Sequence, residues 1–84
     1  MWIGSPLVIR APYLRWSLYR GETLEGVCWV LREEGDGPTF YRLDLAQTPS
    51  VGDLVETLTP LVGRPIADTL ADLAIEALPK VIST

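Results

Sequence analysis

The chain has 84 residues, 48% of them apolar, with seven cationic side chains against eleven acidic ones and a net charge of −4. That length holds a single hydrophobic core and one domain over 1–84, and the apolar content excludes a disordered chain. One cysteine excludes an internal disulfide, and the absence of histidine removes the usual general base, the Ser-His and Cys-His pairs and the commonest metal ligand.

The opening run "MWIGSPLVI" is too short, and too interrupted by Gly4 and Pro6, to span a membrane. It also lacks the basic flank of a signal peptide, so the expectation is a cytoplasmic protein without a membrane anchor. "PLVIRA" (6–11) is expected to form an edge strand or an extended arm, because Pro12 interrupts it. "YLRWSLYR" (13–20) alternates: Leu14, Trp16 and Leu18 share one face, Tyr13, Arg15, Ser17 and Tyr19 the other. "RGETLEG" (20–26) reads as a connector with glycine at its second and last positions. "GVCWVLRE" (26–33) sets Val27, Trp29 and Leu31 against Cys28, Val30 and Arg32. "EGDGP" (34–38) is the clearest hairpin signal. "TFYRLDLA" (39–46) returns with Tyr41, Leu43 and Leu45 against Phe40, Arg42 and Asp44. The front half is thus an antiparallel meander of three to four strands over about 6–46.

Beyond Thr48 the apolar period changes from two to that of a helix. Val51, Leu54, Val55 and Leu58 predict a helix over 50–59. It is capped either by Thr48 with Pro49 at the first position, or by Ser50 with Asp53 in a capping box. Pro60 should end or kink it. A second helix is expected over 65–78, with an apolar stripe of Ile66, Leu70, Leu73, Ala74 and Ala77. Asp68, Asp72 and Glu76 fall at i, i+4 and i+8 on its solvent side. Pro79 closes it and "KVIST" forms a tail. Strands followed by helices give an α+β fold, with both helices on the sheet face that carries Leu14, Trp16, Leu18, Val27, Trp29, Leu31, Tyr41, Leu43 and Leu45.

No nucleophile–base pair, glycine-rich phosphate loop or metal-ligand spacing is present, so no catalysis, cofactor or metal is expected. "EEGDG" (33–37) lacks the alternating ligands of a calcium loop. Cys28 is expected to be a buried, reduced, unreactive thiol. The uncovered sheet face is either ordinary wetted surface or a partner site. Tyr13, Arg15, Tyr19, Val30, Arg32, Phe40 and Arg42 are the candidate partner-binding residues, since arginine and tyrosine dominate interaction hot spots and Val30 and Phe40 supply an apolar centre. The expected function is a non-enzymatic protein-interaction module, a homodimer that binds a protein partner through this face. The alternative is a small acidic inhibitor or adaptor that mimics nucleic acid by presenting Asp53, Glu56, Asp68, Asp72 and Glu76 to a basic surface. A third is a single-stranded nucleic-acid binder that stacks bases on the Arg15 face. The charge distribution disfavours the third: residues 1–32 carry four arginines against two glutamates, but residues 33–84 carry three cations against nine carboxylates.

Overall fold

In a computed structural model that describes residues 2–11 and 14–78, the chain runs through β1 (Ile3–Arg10), β2 (Trp16–Thr23), β3 (Gly26–Glu33), β4 (Thr39–Leu43), α1 (Val51–Val62) and α2 (Arg64–Ala77). The strands form one antiparallel sheet in the order β1-β2-β3-β4. The fold is α+β, a four-stranded meander followed by two helices.

Alternation fixes the faces. Ile9, Leu18, Leu31 and Tyr41 align across the sheet, and Arg20, Trp29 and Leu43 align one step further on. Leu18, Trp29 and Leu31 are fully buried under the helices, where they meet Leu54, Leu58, Ala67, Leu70, Ala71 and Ala74. Leu14, Trp16, Val27, Tyr41 and Leu45 pack at the margin of this core, and the Trp16 and Tyr41 rings lie 6.2 Å apart. The strand phases read from the sequence therefore hold for β2, β3 and β4. α2 packs on β1 and on α1.

Several boundaries differ from expectation. β1 starts at Ile3, ahead of Pro6, because an irregularity between Ile3 and Leu7 lets the chain keep pairing with β2 around the proline. Gly4, at φ 75°, supplies a left-handed residue in that irregularity. β2 continues through Arg20 and Gly21 to Thr23, so the β2–β3 turn is only Leu24–Glu25. The Thr23 hydroxyl closes that turn by donating to the Gly26 carbonyl (2.9 Å) and accepting from the Glu25 N–H (3.2 Å). β4 stops at Leu43, because the backbone then turns under the sheet: the Trp29 indole donates to the Ala46 carbonyl (3.0 Å), and Arg20 donates to the Gln47 carbonyl from Nε (3.2 Å) and Nη2 (3.0 Å). Arg20 also lies over the Trp29 ring, 5.8 Å from its centroid.

Of the two possible caps for α1, Ser50 is the one used. Its Oγ accepts from the Asp53 N–H (3.1 Å), and Asp53 Oδ2 accepts from the Ser50 N–H (3.4 Å). α1 does not end at Pro60 but runs to Val62. The proline lies in the last turn and on the exposed side, where only the Glu56 carbonyl loses its helical partner to the missing N–H. Gly63 alone separates the helices, at φ 86° and ψ 157°, a conformation close to glycine-only. α2 begins at Arg64 with Pro65 in its first turn and ends at Ala77.

Candidate functional site

The helices leave one face of the sheet open. Tyr19, Val30, Arg32, Phe40 and Arg42 all stand on it, as their alternation requires. Phe40 is 60% exposed and Val8 41% exposed, both high for large apolar side chains. A shallow cavity of about 440 Å³ lies on this face. Tyr19, Cys28 and Val30 line it, with Phe40 and Arg32 on one side and Trp2 and Thr23 on the other. Arg15 does not join it: it sits in the bend before β2, with its guanidinium beside Gly35 in the β3–β4 loop. Tyr13 lies outside the described residues.

Two groups hold Arg32, and Ser17 holds one of them in turn. Its guanidinium sits over the Phe40 ring, 5.5 Å from the centroid, because Arg32 and Phe40 are directly opposed in the β3–β4 register. Its Nε lies 3.5 Å from Glu34 Oε2, close enough for ionic attraction, and this buried Nε has no hydrogen-bond partner among the described residues. The Ser17 hydroxyl donates to the other oxygen of Glu34 (3.0 Å), which explains why Ser17 is buried on an otherwise open face. Arg42 pairs loosely with Glu25 at 3.5 Å, both side chains being largely exposed.

Trp2 is the site residue that the alternation argument missed. Its indole lies against the backbone of Gly21: a Cβ placed there would come within 2.6 Å of Trp2 Cε3 and 3.0 Å of Pro6 Cβ. A glycine inside a strand often marks such a close approach, and that signal was hidden because Gly21 reads as part of a turn. Cys28 is half-buried in the cavity wall rather than enclosed in the core, since its parity puts it on the open face.

The acidic residues are scattered by comparison. Asp53 is engaged in the cap of α1, and Asp68 accepts from Arg64 Nε at 3.1 Å. Glu56 and Asp68 share a groove between the helices with Arg64, while Asp72 and Glu76 stand exposed further along α2. Among the described residues no group of three histidine, cysteine or acidic side chains converges as a metal site would, and no helix is long and apolar enough to cross a membrane. Comparison with protein-family models, with curated proteins and with solved structures found no match to this chain.

Proposed function

We propose that this chain is a non-enzymatic, cytoplasmic protein-interaction module that works as a homodimer and receives a protein partner on its open sheet face. The observation that carries the reading is the cavity between Trp2 and Phe40, with Arg32 held at its end over the Phe40 ring. Large aromatics with few rotamers lose little entropy on binding, and a guanidinium already packed over the Phe40 ring beside Glu34 loses less than a free one. The chemistry suits a segment that puts an apolar side chain between Trp2 and Phe40 and a carboxylate on Arg32. Arg10, Arg32 and Arg42 stand on this face, whereas the helix face is acidic.

The test is capture from native lysate by the immobilised protein, repeated with Phe40→Asp and with Asp72→Asn/Glu76→Gln over a salt series. The expected result is a captured protein that survives added salt and the helix variant but is lost with Phe40→Asp. Capture that ignores Phe40→Asp, disappears in the helix variant and collapses as salt rises would overturn the open-face reading and favour the acidic-surface alternative.

A further inference from the structure

The two edges of the sheet are not equivalent. The Glu34 N–H donates to the Arg15 carbonyl at 2.7 Å. Hydrogen-bonded pairs alternate with non-bonded ones in an antiparallel ladder. Counting by twos along the β2–β3 register makes Ser17–Arg32, Tyr19–Val30 and Gly21–Cys28 the bonded pairs. Trp29, Leu31 and Glu33 therefore turn their backbone groups towards β4, where they meet Leu43, Tyr41 and Thr39. The N–H and C=O of Phe40 and Arg42 are left pointing away from the sheet. The same counting turns Pro6, Val8 and Arg10 outwards on β1. That edge is protected twice, by the missing N–H of Pro6 and by the irregularity between Ile3 and Leu7. β4 has neither protection. Thr39, Phe40 and Arg42 are exposed, and the segment after β4 turns inward to Trp29 and Arg20 rather than along the edge.

We propose that a second copy of this chain pairs with β4, antiparallel about a two-fold axis at Tyr41. The inference refines the homodimer half of the function proposed above and does not depend on the open face being the partner site. Centring on Tyr41 brings Phe40 of each copy opposite Arg42 of the other, so both outward N–H groups and both outward carbonyls of each chain are bonded, four hydrogen bonds in all. On the open face each Arg42 then stands beside the Phe40 of its partner, the same pairing that Arg32 and Phe40 already make within one chain. Other centres fit worse. Centring on Arg42 sets two arginines against each other, and centring on Phe40 sets Arg42 against Pro38, which has no N–H to offer. The result is a continuous sheet of twice four strands, with both helix layers on one side and both open faces on the other. The contact is short, so it belongs with interfaces below about 1,200 Å² that associate weakly.

Light scattering over a concentration series tests this, together with amide exchange by NMR. The mass should climb with concentration from 9.3 kDa towards twice that. The Phe40 and Arg42 amides should gain protection in parallel, since only the dimer shields them. Arg42→Pro removes an outward N–H that β3 does not use and should give a monomer, while Arg42→Ala keeps the N–H and should still dimerise. Phe40→Asp should also dimerise, because it places a carboxylate opposite the Arg42 of the partner, even though the same change is expected to abolish capture of a protein partner. A monomer mass at every concentration would overturn the proposal. So would a dimer that leaves both amides unprotected, survives Arg42→Pro or splits with Phe40→Asp. The amide measurement needs no substitution, so it decides the matter even if Arg42→Pro fails to fold.

Discussion

Trp29 is the side chain on which the core depends most, and Trp29→Ala measures that dependence. The residue is fully buried, its indole N–H donates to the Ala46 carbonyl, and Arg20 covers its ring. A buried aromatic removes about 150–250 Å² from water. At about 25 cal/mol per Å² this is roughly 4–6 kcal/mol, an upper bound because the unfolded chain is not fully extended. Measured truncations of buried tryptophan cost about 3–5 kcal/mol. A chain of 84 residues has a total stability of roughly 4–13 kcal/mol at about 0.05–0.15 kcal/mol per residue. The variant should therefore lose about a quarter of its stability or more and, in the lower part of that range, should not fold. The assay is thermal melting followed by far-ultraviolet circular dichroism, with Trp16→Ala as comparator. Each 1 kcal/mol shifts Tm by about 4–8 °C in a domain of this size, so a fall of at least about 12 °C is expected for Trp29→Ala. Trp16 is only partly buried at the core margin and should cost less. A Tm within about 3 °C of the parent, or a larger loss from Trp16→Ala, would refute the assignment of Trp29 to the centre of the core.

Gly21→Ala should displace Trp2 from the open face, since the new methyl would lie 2.6 Å from its ring; overpacking of this kind costs about 1–3 kcal/mol. The tryptophan indole N–H resonances report it: the Trp2 signal should shift while that of Trp29 holds, and an unmoved Trp2 signal would contradict the contact. Ser50→Ala removes the side-chain half of the α1 capping box and should lower stability by about 1 kcal/mol, or Tm by about 4–8 °C. An unchanged melting curve would show that the Asp53 N–H finds an equivalent acceptor in water.

The class of the fold and the face that each central strand buries were legible in the residue pattern. Both follow from short-range periodicity: Trp16 and Leu18, Trp29 and Leu31, and Tyr41 and Leu43 are two apart, while Leu54 and Leu58, and Leu70 and Ala74, are one helical turn apart. The capping box was legible for the same reason, because Ser50 and Asp53 act on each other's backbone within one turn. Features that depend on residues distant in sequence emerge only in the folded chain. Gly21 reads as a turn until Trp2 is seen seated on it, and Ser17 reads as a solvent-facing serine until Glu34 folds back to accept its hydrogen bond. Arg20 reads as part of a connector until the segment after β4 passes beneath it and offers the Gln47 carbonyl. The two edges differ for a comparable reason. Alternation gives each residue a face, but which backbone groups of β4 point outwards depends on hydrogen bonds counted across three strands, beginning at Glu34 and Arg15. Side-chain periodicity is set by local backbone geometry and survives in the sequence. The pairing of distant backbones is set by how the strands assemble, and it exists only once they have done so.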